Sequence, residues 1–296
     1  MSQRPFANHR QRRQTPLGKI LSYSALTVWS LVCLFPLYWM AVTSLKSEAD
    51  IMDGPVYLPF VDFTPSLKAW RFILGDPYDN LLPRFFNSAV IGVTATVITT
   101  VLAGMAVYGF TRFKWRVGLP HKILFAILAS RILPPVVIVL PLYLMAQMTG
   151  MLDTRFALIF TYTAINLPVA VWLLQPVLGP RASELEEAAL LDGASHLVIF
   201  FTIVLPLAAA SIAAVALLVF FLCWNEYLFA VYLAGNEAMT LPPWMVGQLS
   251  MKEAQIGGEA EEWANLSAAA VLMAAPLLAC AALVRRALNR KDLWTR

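Results

Sequence analysis

Phe85-Phe-Asn-Ser-Ala-Val-Ile-Gly-Val-Thr-Ala-Thr-Val-Ile-Thr-Thr-Val-Leu-Ala-Gly-Met-Ala-Val-Tyr-Gly-Phe-Thr111 carries no charged side chain. It is longer than the roughly 20 apolar residues that cross the hydrocarbon of a bilayer. Ile20 to Leu45 is a second such stretch, and core helices of soluble domains seldom need this length. Backbone polar groups cannot be left bare in hydrocarbon, so runs this apolar predict helices rather than strands of a barrel. Outward from these two, apolar runs near 20–45, 85–110, 123–148, 156–178, 199–233 and 264–284 predict an all-α, polytopic membrane protein of six transmembrane helices. The fifth run is long enough to contain a bent or re-entrant part.

Composition agrees. Of 296 residues, 59% are hydrophobic and 14% charged, against about a quarter charged in soluble domains. Cys33, Cys223 and Cys280 fall inside apolar runs without metal-ligand spacing, which makes them packing residues rather than a disulfide framework or zinc site. The net charge of +4 comes with no basic patch interleaved with aromatics, so nucleic acid is not an expected partner. The first apolar run follows a basic segment, as a signal peptide would. It is long, however, and ends in Pro36-Leu-Tyr-Trp-Met40 without an Ala-x-Ala site, so it is expected to remain as the first span.

Lys and Arg set the expected orientation. Five precede the first run, four surround the second-to-third connection (Arg112, Lys114, Arg116, Lys122), Arg181 follows the fourth run and five follow the last. The opposite loops hold Lys46, Lys68, Arg71, Arg84, Arg155 and Lys252. Both termini are therefore expected on the cytoplasmic side. The organisation expected is a tail over 1–19, a first span over 20–45, an outer loop over 46–84, a core over 85–284 and a tail over 285–296. A second outer loop near 235–263 is acidic through Glu253, Glu259, Glu261 and Glu262. These outer loops read equally as partner surfaces or as solvated connections.

Between the fourth and fifth runs lies Pro180-Arg-Ala-Ser-Glu-Leu-Glu-Glu-Ala-Ala-Leu-Leu-Asp-Gly-Ala-Ser195, followed by Ile203-Val-Leu-Pro206, within a connection spanning 180–206. Ser183 with Glu186 three residues on is a capping-box pattern, Glu184 to Leu191 favours helix, and Gly193 suits a left-handed stop. Glu184 and Glu187 share a face, and Ala188 and Ala189 leave room for a close neighbour. Glu187-Ala188-Ala189, Asp192-Gly193-Ala194 and Leu205-Pro206, with thirteen positions from glycine to proline, resemble the EAA motif of ABC importer permeases. The resemblance extends to Pro36-Leu-Tyr-Trp-Met-Ala-Val-Thr-Ser-Leu-Lys46, Phe86-Asn-Ser88, Leu133-Pro-Pro135, Leu152-Asp-Thr154 and Trp224-Asn-Glu226, and is greatest to the MalG-like permeases of carbohydrate importers.

That resemblance implies a type I importer permease fold. It also implies that Glu184, Glu187, Ala188, Ala189, Asp192, Gly193, Leu205 and Pro206 couple to a separate ATP-binding cassette ATPase dimer, which binds the ATP and Mg. Further implied partners are a second permease, a periplasmic or lipid-anchored solute-binding protein and membrane lipid. The cargo implied is a sugar, polyol or glycoside. Relatives commonly end in Gly-Leu-Thr-x-Gly-Ala-Val-Lys-Gly, whereas this chain ends Arg290-Lys-Asp-Leu-Trp-Thr-Arg296, so no ATPase contact of that tail is carried over.

Polar residues within the runs are candidates for the translocation route. Arg131 interrupts the third run, where a charge at depth costs at least about 2.5 kcal/mol; it either faces protein, water or an acidic partner, or snorkels to the interface. Asn225 and Glu226 lie beside Trp224 and Tyr227, a set able to bind hydroxyls and stack on a sugar ring, and Asn166 is a weaker candidate. Structural bonds between helices account for the same residues. No phosphate loop is present, so ATP hydrolysis is expected elsewhere and no cofactor is expected in this chain. Without paired intramembrane carboxylates, a His-x-x-x-His pattern or a Gly-x-Ser-x-Gly turn, no enzyme reading is supported. A self-contained secondary transporter is the alternative, with Arg131 and Glu226 its only intramembrane charges.

Overall fold

The apolar runs form long helices that tolerate interior prolines such as Pro36, Pro168, Pro176 and Pro276, whereas sharp bends form at Leu133-Pro134-Pro135 and around Pro206–Ala208. The computed structural model describes residues 16–75, 81–113, 119–178, 183–252 and 259–291. In chain order the first helices are α1 (Pro16–Thr43), α2 (Glu48–Met52), α3 (Lys68–Gly75), α4 (Leu81–Arg112), α5 (Leu119–Ala129), α6 (Pro135–Met148) and α7 (Arg155–Leu178). They continue with α8 (Ser183–Leu191), α9 (His196–Ile199), α10 (Leu205–Leu207), α11 (Ala209–Trp224), α12 (Leu228–Leu233), α13 (Leu241–Lys252) and α14 (Glu259–Lys291). Lys114, Arg116, Pro180, Arg181, Glu253, the chain before Pro16 and Asp292 to Arg296 lie outside the described residues.

Among the described residues four helices, α1, α4, α7 and α14, are long and apolar enough to cross a membrane by themselves. The third and fifth runs are not single straight helices. Lys122–Ile132 meets Pro135–Met148 at 91°, and His196–Leu207 meets Ala209–Trp224 at 85°, so six spans result only when each bent pair counts as one. At the first bend, Leu133 and Pro134 take extended backbone and Pro135 opens α6 at the position where its missing N–H is no loss. At the second, Phe200–Val204 forms a π turn in which Leu205 N–H donates to Phe200 C=O, and Ala208 leaves helical geometry at φ −92°, ψ 4°. Pro206 has no N–H to keep a regular ladder there. The fifth run also breaks at Asn225–Tyr227 before α12.

The core is α4 packed on α7 and α11. Lipid gives helices little hydrophobic reason to associate, so close packing at small residues has to hold them. Ala95 and Ala103 on α4 are buried against partners such as Leu158, Leu174 and Val219. At Gly104 the Phe200 ring lies so near that an added Cβ would stand 3.2 Å from Cζ. α1, by contrast, exposes Leu21, Leu26, Trp29 and Leu31; it packs along α14, and its C-terminal end touches Tyr57 through Tyr38 and Trp39. Such a surface needs lipid or another chain.

Two of the short motifs in the sequence meet at the end of the bundle opposite α8. Asn87 accepts from Arg155 Nε at 2.8 Å and donates Nδ2 to Glu237 O and Met239 O at 2.8 and 3.0 Å, while Ser88 Oγ accepts from Leu241 N at 2.8 Å. Asp153 accepts from the N–H groups of Gly235, Glu237 and Ala238 at 2.7, 3.1 and 2.8 Å. The loop between α12 and α13 is thus fastened to α4 and to the connection between α6 and α7.

Candidate functional site

α8 is built from Ala, Leu and Glu, all good helix formers. It stops where expected. Gly193 N–H donates to Leu190 C=O at 3.1 Å and Ala194 N–H to Ala189 C=O at 3.0 Å, with Gly193 at φ +85°. This double closure is a Schellman stop, and the space around a Cβ at 193 is open, so the backbone conformation alone selects glycine. The chain then restarts at Ser195, whose Oγ accepts from Val198 N–H at 3.4 Å.

One side of α8 is fastened to the end of α4. Glu186, only 3% exposed, receives Arg112 Nε at 2.6 Å and Nη2 at 2.8 Å, one to each carboxylate oxygen, and Nη2 also reaches Leu178 C=O at 3.3 Å. Such forked, charge-assisted pairs fix direction as well as distance. The Arg112 guanidinium lies 5.9 Å from the Tyr108 ring centroid, and Tyr108 Oη is 3.3 Å from His196 Nδ1. Tyr108 and Phe113 pack on Phe200 and His196 with centroids 5.5 and 5.0 Å apart. Sequence reading assigned Glu186 to a local cap, but its carboxylate instead serves an arginine 74 positions away. The Ser183 side chain lies outside the described residues.

The other side of α8 is bare. Glu184, Glu187, Ala188, Asp192 and Gly193 are exposed, as are Leu185, Leu190 and Leu191, the last at 90%. Leucines left in the open beside carboxylates form an unpartnered amphipathic face. Ala189 is half-buried against the core, Leu205 is half-buried at the π turn and Pro206 is exposed at the bend. The coupling candidates therefore fall on two places, the free face of α8 and the corner that leads into α11.

The route candidates are dispersed. Arg131 is exposed on a tight turn, Ser130–Ile132, at the corner between α5 and α6. Asn166 is buried, donating Nδ2 to Tyr162 O at 2.9 Å and to Cys223 Sγ at 3.4 Å. Asn225 is exposed and donates Nδ2 back to Phe221 O at 2.9 Å. Glu226 accepts from Phe229 N–H at 3.1 Å and Ala230 N–H at 3.2 Å, closing the first turn of α12. Among the described residues no hydrogen bond or ion pair joins Arg131 to the other three. Three buried hydroxyls, those of Thr99 and Thr100 on α4 and Thr163 on α7, have no hydrogen-bond partner among the described residues.

Residues 101–291 match the family described as binding-protein-dependent transport system inner membrane component. The chain is 32% identical over 259 residues to the probable ABC transporter permease protein y4oR of Sinorhizobium fredii, covering 88% of each. It is 30% identical over 277 residues to the trehalose/maltose transport system permease protein MalG of Thermococcus litoralis, covering 93% of this chain and 95% of that one. A chain in the crystal structure of a bacterial ABC transporter involved in the import of the acidic polysaccharide alginate shares the fold, with TM-score 0.71 over 96% of this chain and 99% of that one at 22% identity. An all-helical bundle with two bent spans, an acidic helix closed by Asp192-Gly193 and these matches together make the chain a member of the binding-protein-dependent transport system inner membrane component family, an ABC transporter permease.

Proposed function

We propose that the chain forms, with a second permease, the membrane route of an importer for a sugar, polyol or glycoside handed over by a solute-binding protein, and that α8 docks in a cleft of the partner ATPase dimer. The observation that carries this reading is the two-sided character of α8. Its bare acidic and leucine-bearing face offers a contact, while Glu186 ties its other face to Arg112 at the end of α4. Movement of the ATPases on binding and hydrolysing ATP with Mg pushes α8. The Arg112 fork and the Tyr108, His196 and Phe200 contacts pass that push to α4 and, through the bend at Ala208, to α11. The carbohydrate assignment draws on the printed substrates of the relatives.

In this reading α8 and both termini are cytoplasmic, and the loop fastened by Asn87 and Asp153 faces the binding protein. Arg131, Asn225, Glu226 and Asn166 are the residues assigned to the route. Affinity purification of the tagged full chain, expressed with its neighbouring genes, tests the assembly. An ATPase and a second permease in the eluate, together with uptake that stops when ATP is withdrawn, support it. Uptake by the isolated chain driven by an ion gradient would replace it with a secondary transporter.

A further inference from the structure

At the C-terminal end of α1 a lysine is buried without a counter-ion. Lys46 is 4% exposed, and its Nζ lies 4.2 Å from the Trp39 ring centroid and 5.8 Å from that of Phe63. Among the described residues it makes no ion pair or side-chain hydrogen bond. Asp50 is occupied by Ser47 N–H at 3.0 Å, and Asp62 by Tyr57 and Leu58 N–H, both at 2.9 Å. One turn back, the buried Thr43 hydroxyl also has no partner. Both groups line a cavity of about 350 Å³ walled by Trp39, Ile51 and Trp263.

The ammonium rests on the Trp39 ring face, but among the described residues its three N–H donors meet no acceptor, which favours a negatively charged atom beside it over protein contacts alone. Burial holds Lys46 below the ordinary lysine value, with Asp50 and Asp62 pulling the other way. A negatively charged atom at Nζ removes that penalty. A ligand with net negative charge would, however, meet Glu48, Asp50, Asp53 and Asp62 on the same short stretch. A neutral sugar would leave the ammonium uncompensated. The charge pattern fits one negative group on Lys46 with a positive group beside it. The apolar side chains of α1 are exposed up to Tyr38, next to the cavity-lining Trp39, and tryptophans such as Trp39 and Trp263 favour the headgroup level of a bilayer.

We propose that this cavity holds the headgroup of a zwitterionic phospholipid of the phosphoethanolamine type, its phosphate on Lys46 Nζ and Thr43 Oγ1, its ammonium toward the acidic residues of α2 and its acyl chains along α1. The test uses the purified full chain in detergent, with bound lipid counted by native mass spectrometry and Tm followed as lipid is added. Phosphatidylethanolamine is expected to be retained and to raise Tm, phosphatidylglycerol much less so. Lys46→Met is expected to weaken retention by roughly tenfold or more, the loss of one charge-assisted contact. Lys46→Arg should keep most of it and Thr43→Val should weaken it further. Equal retention of both lipids, or unchanged retention in Lys46→Met, overturns the site. Competition by glycerophosphoethanolamine as strong as by the intact lipid overturns the lipid assignment in favour of a soluble ligand. Should Lys46→Met fail to fold, the wild-type preference between the two lipids and that competition decide the matter alone.

Discussion

Replacing Arg112 with alanine removes both hydrogen bonds to Glu186 and leaves that carboxylate, on a residue 3% exposed, without its cation. Taking one partner from a buried ion pair costs about 3–5 kcal/mol. The Arg112 side chain retains 16% exposure, so water screens part of the loss and the lower bound of about 3 kcal/mol applies. At about 1.4 kcal/mol per tenfold, the ratio of docked to undocked α8 falls by about a hundredfold. Amide hydrogen exchange over 185–194 in nanodiscs reads this, because a nine-residue helix that leaves α4 is too short to hold its own hydrogen bonds in water. Arg112→Lys should recover only part of the protection, since a point charge cannot reproduce the fork. Arg112→Ala with Glu186→Ala should cost less than the sum of the single changes. Unchanged exchange in Arg112→Ala, or strictly additive effects, would refute the latch.

Three further expectations concern other contacts. Gly104→Leu drives a side chain into Phe200, which already stands 3.2 Å from a Cβ at that position; overpacking of this kind costs about 1–3 kcal/mol and should lower Tm of the purified chain. The Asp153 carboxyl sits below the ordinary aspartate value: burial would raise it, but the N–H groups of Ala238, Glu237, Gly235 and Asn236 together outweigh burial. A depressed folded value contributes stability above the unfolded aspartate value of about 3.9. That contribution disappears as pH falls through the folded value, so protease nicking of the 235–240 loop should stay slow at neutral pH and rise below about pH 4, whereas Asp153→Ala should be nicked readily at both. Glu226→Ala should destabilise α12 by about 1 kcal/mol through loss of its cap, while Glu226→Gln keeps an acceptor. Loss of uptake in Glu226→Gln with normal assembly would then indicate contact with cargo, and unchanged uptake would assign the residue to structure alone.

The presence of α1, α4, α7 and α14 was legible because uncharged runs admit little else in a bilayer, although α4 and α14 extend beyond their runs at both ends, and the stop at Gly193 was legible because its chemistry is local. The bend after Ile132 was half legible: Pro134-Pro135 marks the break, but nothing in the runs specifies a right angle. The bend at Ala208 depends on a π turn that proline permits and Phe200 packing against Gly104 stabilises, a tertiary cause. The same limit hid Arg112 and Glu186. Each is readable as a topology charge or a cap, and only the fold brings them together. Phe86-Asn-Ser88 and Leu152-Asp-Thr154 were recognisable as motifs, yet their shared target between α12 and α13 is set by main-chain N–H and C=O groups that no pattern of side chains encodes.

Contact between the bare face of α8 and the ATPase is open to a direct chemical test. Ala188→Cys and Leu191→Cys, placed one at a time in a chain with Cys33, Cys223 and Cys280 replaced, put a thiol on that face, and a photoactivatable probe on each thiol reports its neighbour in the assembled importer. Covalent capture of the ATPase subunit is expected from both positions, with a yield that changes between the nucleotide-free and ATP-bound states, and none from a control cysteine at Met148 at the C-terminal end of α6. Capture from neither α8 position in an assembled, transporting complex would contradict that contact.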